Sequence, residues 1–173
     1  MNEAQIADFR KQKDQMFKQG AQSPLRLDQQ RRFTQLSYYP YNEALDLTVE
    51  VTPFDEKKDI EIQTTTGETR WYRRYGEFRF ELEGEEVRLT IYQAPHGFFL
   101  PFVDAGAGKE TYPAGRYLEP DQIEGNTFHI NFNLTYNPYC AYNGDWTCPI
   151  TPAENRLSVH IQAGEKMPPA EWA

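Results

Sequence analysis

Cysteine and histidine are scarce in this sequence, with two Cys and three His among 173 residues. A disulfide framework therefore cannot be its scaffold. The close C-x-x-C or H-x-x-x-H pairs of a structural zinc site are missing too. No stretch approaches the ~18 apolar residues of a membrane span, so no membrane association is expected. Positive charge is in the minority: 18 Lys and Arg stand against 26 Asp and Glu, for a net charge of −8. Phosphate backbones need clustered cations. The densest basic run, Arg70 to Arg79, is interleaved with Trp71, Tyr72, Tyr75 and Phe78 and reads as a strand. Nucleic acid is not an expected partner. The opening MNEAQIADFRKQKD lacks the apolar stretch of a secretory leader, so the cytoplasm is the expected compartment. There, two thiols are expected to stay reduced.

Aromatic residues are plentiful, with eleven Tyr and eleven Phe. That rules out a disordered chain. A chain of this length buries about 70% of its unfolded surface on folding. One domain over 1–173 is expected, without internal repeats or a linker. Residues 2–19 read as a helix, with Ile6, Phe9, Met16 and Phe17 on one stripe and Gly20 as the stop. Asp28 is placed to cap a second short helix running to Leu36. The apolar period then changes from 3.6 to 2 at 45–51, 60–62, 78–82, 87–92, 128–134 and 157–161. Thr66-Gly67, Glu83-Gly84, His96-Gly97 and Gly125-Asn126 supply turn chemistry between these runs. The expected fold is mainly β: an antiparallel β-sandwich or partly open β-barrel with an N-terminal helix. In it a helical segment, 1–36, packs on a β core, 44–165, and 166–173 form a loose tail.

Two stretches break the alternation, 98–120 and 131–157. A long irregular loop in a compact domain is uncommon unless it has a function, and Pro138, Pro149 and Pro152 restrict the second one. The residue types gathered there suit a small polar or anionic ligand: Asp104, Glu110, Tyr112, Arg116, Asn133, Tyr136, Asn137, Cys140, Glu154, Asn155 and Arg156. Arg116 and Arg156 would grip an anion, with Tyr and Asn orienting it. The competing reading takes the same arginines as architectural, paired with carboxylates to pin the loops. Asp104 and Glu110 would also suit acid/base work. A third, weaker reading uses Cys140 and Cys148, separated by seven residues, with His129 and His160 as a metal or redox centre. Cys140 as a nucleophile lacks a surrounding elbow motif.

The quoted segments resemble one family. FVD at 102–104, ETYPAGRYL at 110–118, NFNLTYNPYCAY at 131–142, CPITPAENRL at 148–157 and AGEK at 163–166 are similar to the recurring pattern of domain-of-unknown-function family 1684. The resemblance covers most of the chain and implies no activity. The sequence departs from the pattern at Asn131, where Asp is usual, at Gly106, where Thr is common, and at Thr151, where Pro is common. An Asn cannot act as a carboxylate base. The expectation from these residues is a protein that binds a small molecule at one end of the β core. An enzymatic role and the oligomeric state are left open, and no cofactor is implied. The alternative is a non-catalytic structural or interaction module.

Overall fold

The structure is a computed structural model that describes residues 1–169. Residues 170–173 of the expected loose tail lie outside the described residues. Helix α1 (Glu3–Gln19) starts on a capping box in which the Asn2 side chain accepts from Gln5 N and Gln5 reaches back to Asn2 N. It stops at Gly20, as expected, although the glycine is extended there and not left-handed. Helix α2 (Leu27–Arg32) is shorter than expected. Asp28 is not its cap but sits inside the first turn, paired with Arg26 and Arg32. The helix ends before Leu36 because Phe33 turns extended and is buried.

Among the described residues nine strands follow: β1 (Asp46–Glu50), β2 (Thr52–Pro53), β3 (Asp59–Gln63), β4 (Thr69–Leu82), β5 (Glu85–Ala94), β6 (Gly97–Phe102), β7 (Arg116–Leu118), β8 (Asp121–Glu124) and β9 (Thr127–Asn131). They form two antiparallel sheets. One has the order β1-β9-β8, the other β2-β4-β5-β6-β7 with β3 also on β4. Both sheets are open, so the fold does not close into a barrel. Leu45, just before β1, and Phe128 and Ile130 of the smaller sheet share one core with Phe78, Leu89, Ile91, Leu100, Phe102 and Leu118 from the larger. Each such side chain, fully buried, contributes roughly 1.5–3 kcal/mol. The hairpin turn at Glu83-Gly84 has both residues at positive φ, 53° and 79°. This matches the right-handed strand twist, which type I′ turns favour.

Three expectations need correction. The run 128–134 is a strand only to Asn131; Phe132 to Leu134 form a 3-10 turn capped by the Asn131 side chain. The run 157–161 is not a strand, although Val159 and Ile161 are buried in the core as its alternation implies. The segment 98–120 is less irregular than expected, because it holds most of β6 and all of β7, which pair through Leu100–Leu118 and Phe102–Arg116.

The helices do not add to the sheet core cluster. Phe17, Leu25, Phe33 and Leu36 bury instead against Ala141 and Tyr142 of the C-terminal segment. Among the described residues, no helix is long and apolar enough to cross a membrane.

Candidate functional site

Arg116 begins β7 and is almost completely buried. Its Nη1 donates to the carbonyls of Ala163 (2.6 Å) and Glu165 (3.0 Å), and its Nη2 to Ile161 O (2.8 Å) and Asp104 Oδ2 (3.1 Å). Asp104 is equally sealed. Its Oδ1 accepts from Thr111 Oγ1 at 2.6 Å, and its Oδ2 accepts from Ile161 N at 2.8 Å. Burial lowers the guanidinium pKa from its ordinary value, and the Asp104 charge opposes that shift. Gly115 makes the approach possible. It sits at φ +99°, and a Cβ there would come within 2.6 Å of Phe102 O.

The chain that Arg116 holds delivers Glu165 to a second buried cluster. Glu165 Oε2 accepts from Asn137 N (2.7 Å) and the Tyr142 hydroxyl (2.9 Å). Lys13 Nζ of α1 lies 2.6 Å from Oε1 as an ion pair, at an angle too poor for a hydrogen bond. Asn137 Nδ2 donates to Tyr142 Oη at 3.1 Å and to Lys166 O at 2.8 Å. Asn133, also buried, clamps the loop at Asn42 through both its Oδ1 and its Nδ2. Asn131 supplies an acceptor to Asn133 N at 3.0 Å, so its carboxamide oxygen serves as a turn cap.

Asn155 has a different task. The β5–β6 ladder pairs Tyr92 with Phe99 and Ala94 with Gly97. Continued by two residues, that register sets Thr90 opposite Pro101, which has no N–H to give. Asn155 supplies the missing groups. Its Nδ2 donates to Thr90 O (2.9 Å) and Pro101 O (2.8 Å), and its Oδ1 accepts from Thr90 N (2.9 Å).

The remaining expected residues scatter. Arg156 is exposed and does not face Arg116, so the two guanidiniums form no anion clamp. Neighbouring positions on an irregular chain need not share a partner. Glu154 binds Arg74 (Nη2 to Oε2, 2.7 Å) and the Tyr92 hydroxyl, not Arg156. Glu110 is exposed and not paired with Arg116. It accepts from the Tyr39 hydroxyl at 3.0 Å and lies 3.5 Å from His160 Nε2. His160 Nε2 is 2.8 Å from the Tyr39 oxygen and 3.9 Å from Asp104 Oδ2. This imidazole stands where a Cβ on Gly106 would come within 2.5 Å. The Thr common at that position in the family pattern would displace it.

His129 binds Asp46 at 2.5 Å across β1 and β9. The expected Cys140–Cys148–His129–His160 set is therefore not assembled. Among the described residues, no group of three or more His, Cys, Asp or Glu side chains is arranged to hold a metal. The two cysteines do meet: Cys140 N donates to Cys148 Sγ at 3.4 Å. Tyr112 hydrogen-bonds to Cys140, and its pKa is pushed up to about 12, first by burial and then by the neighbouring thiol.

A groove of about 560 Å³ lies elsewhere, between α1, β7 and the C-terminal segment. Of the eleven expected ligand residues, only Tyr136 lines it. Its walls are aromatic: Phe9, Tyr117, Tyr136, Tyr139 and Trp146, with Cys148 at the base and Lys13, Arg70 and Glu119 as the charged groups. A second depression of about 340 Å³ shares Arg70, Tyr117, Glu119, Tyr136 and Pro149. A file of rings runs between the two, with centroids 5.3 Å apart for Tyr72–Phe99, 4.9 Å for Phe99–Tyr117 and 6.0 Å for Tyr117–Tyr136. Hydrogen bonds fix the groove's rings. The Tyr117 hydroxyl donates to Pro149 O, the Tyr136 hydroxyl to Glu119, and Trp146 Nε1 to Pro24 O at 2.9 Å. Burial pushes the Tyr117 and Tyr136 hydroxyls well above the ordinary phenol range, so both stay neutral donors. The sequence signal for this groove is the density of Tyr and Trp between 136 and 146; Tyr136, Tyr139 and Trp146 line it while Tyr142 is buried against the helices, a split that no periodicity shows.

A family model described as "Protein of unknown function (DUF1684)" matches residues 31–166. The solution NMR structure of an uncharacterized protein from Haloarcula marismortui is similar, with a TM-score of 0.71 and 30% identity. The alignment covers 95% of this chain and 93% of that one. Comparison with curated proteins found no match.

Proposed function

The chain belongs to this family of unknown function, and from that premise we propose that it binds a small molecule with a flat apolar body and an anionic group. The observation that carries the reading is the groove of about 560 Å³ walled by Tyr117, Tyr136, Tyr139 and Trp146. Its volume falls within the range of ligand sites, and aromatic walls with a few fixed polar groups are their usual lining. Rings held by hydrogen bonds lose little entropy on receiving a planar partner. Two of the groove's charges are committed, Lys13 to Glu165 and Glu119 to Tyr136. Arg70 donates to Thr147 O at 3.1 Å and has no carboxylate partner among the described residues, so its guanidinium is the group for the anion.

The buried network of Arg116, Asp104, Asn137 and Glu165 is architectural in this reading. Arg116 and Asp104 already have their partners within it, and Arg116 is 1% exposed. The binding site therefore lies beside the locked segment instead of within it.

A thermal-shift screen of aromatic carboxylates and phosphates tests this. A ligand of the groove raises the melting temperature of the wild type. Trp146→Ala is expected to weaken binding about tenfold, or ~1.4 kcal/mol, through the lost ring contact. Arg70→Ala should weaken anionic compounds while sparing their neutral analogues. If both variants respond like the wild type, the groove is not the site.

A further inference from the structure

The two thiols form a site of their own on the groove wall. Cys140 lies on the 3-10 turn Tyr139–Ala141. Cys148 is pinned to the β3–β4 loop, with Thr65 N donating to its carbonyl at 3.0 Å and its own N–H donating to Thr65 Oγ1 at 3.2 Å. These anchors bring the sulfurs into hydrogen-bond contact, yet both cysteines are free. Cys148 lines the groove although it is the more buried of the two, 6% exposed, whereas Cys140 is half-buried beside the Tyr112 hydroxyl.

We propose that Cys140 and Cys148 are a reversible thiol–disulfide couple, with Cys148 as the attacking sulfur and a low-molecular-weight disulfide as the oxidant. The Cys148 thiolate attacks one sulfur of the small disulfide, forming a mixed disulfide, and the departing thiolate takes up a proton. Cys140 then loses its proton to solvent and attacks the Cys148 sulfur, which expels the second small thiol. The protein gives up two electrons and two protons, and one small disulfide becomes two thiols.

The surroundings assign these roles. The Cys148 sulfur receives the Cys140 N–H and the Cys140 thiol hydrogen, and the Arg70 charge stands near it. All three favour the thiolate over the thiol and hold Cys148 below the ordinary thiol range. Cys140, which donates its hydrogen to Cys148 and is partly buried, is held above that range. The hydroxyl of Tyr112 is placed to steady the Cys140 sulfur once its proton leaves. In a reducing cytoplasm such a couple rests as two thiols and forms its bond transiently. This inference stands apart from the ligand reading, because its test uses no groove ligand.

The full chain is incubated with oxidised glutathione and followed by intact mass and free-thiol titration. The wild type should lose the mass of two hydrogens and both free thiols, and regain them with dithiothreitol. Cys140→Ser should stop at a single glutathione adduct on Cys148. Cys148→Ser should show no adduct in the time that Cys140→Ser is fully modified. A wild type that keeps both thiols, or that ends as a stable glutathione adduct, overturns the proposal. So does a Cys148→Ser protein that reacts as fast as Cys140→Ser. The wild-type mass decides the couple even if a variant folds poorly.

Discussion

Replacing Arg116 with methionine (R116M) is expected to destabilise the protein by about 3–5 kcal/mol, the range for removing one partner of a buried ion pair. The change leaves the Asp104 carboxylate 4% exposed, with Thr111 Oγ1 and Ile161 N as its remaining hydrogen-bond donors and His160 Nε2 3.9 Å away. It also strips the Arg116 donors from the carbonyls of Ile161, Ala163 and Glu165. Urea unfolding followed by circular dichroism should show the midpoint falling by roughly 2 M, given typical slopes of ~1–3 kcal/mol per M. Adding Asp104→Leu removes the stranded charge and should recover part of the loss. Full recovery is not expected, because three carbonyls stay unpaired. A shift below ~1 kcal/mol in R116M would show that water reaches the site and that the network is not sealed.

The second large effect belongs to Asn155. Asn155→Ala leaves Thr90 N, Thr90 O and Pro101 O without partners in a fully buried position. Each unsatisfied group costs about 1–3 kcal/mol, so a loss of about 3 kcal/mol or more is expected. Asn155→Asp should be at least as damaging at neutral pH. It keeps the acceptor for Thr90 N but turns a second oxygen toward two carbonyl oxygens. Amide hydrogen exchange gives the local reading: Thr90 N–H should lose protection in Asn155→Ala, while the β3–β4 ladder keeps its own. If Thr90 stays protected in Asn155→Ala, β5 and β6 pair there without help.

Much of the fold was legible, for a physical reason. Where one strand face meets the core and the other meets solvent, as in β1 and β9, alternation is a direct record of burial. Where both faces are covered the record disappears. Leu100, Pro101, Phe102 and Val103 are buried in succession, so β6 read as part of an irregular segment. The opposite error arose at 157–161, where Val159 and Ile161 are buried beside a partly open His160, yet the backbone bonds to Ala105 and Val103 and joins no ladder. Alternation reports which side chains are inside, and it reports hydrogen bonding only by association.

The same distinction governs the site. Arg116 was legible as unusual, but its partner was not. Glu110 is nearer to the turn that carries it, whereas the carboxylate that reaches the guanidinium is Asp104, across the β6–β7 connection. The cysteine pair was legible as a pair of thiols, but their contact depends on Thr65, which is 83 residues from Cys148 and gives no local signal. The groove was the least legible feature. Its wall draws on Phe9 of the first helix, Tyr117 of a short strand and Trp146 of a loop, and only folding sets them side by side.

The Asn155 amide also bears on the order in which the molecule is made. Thr90 and Pro101 leave the ribosome 65 and 54 residues before the side chain that joins them. Until Asn155 emerges, that rung of the larger sheet has no partner, and its exposed polar groups are open to any other strand nearby. Completion of the sheet is therefore held back until the segment that carries Asn155 has been synthesised, and until then β5 and β6 are the stretch most open to wrong pairing.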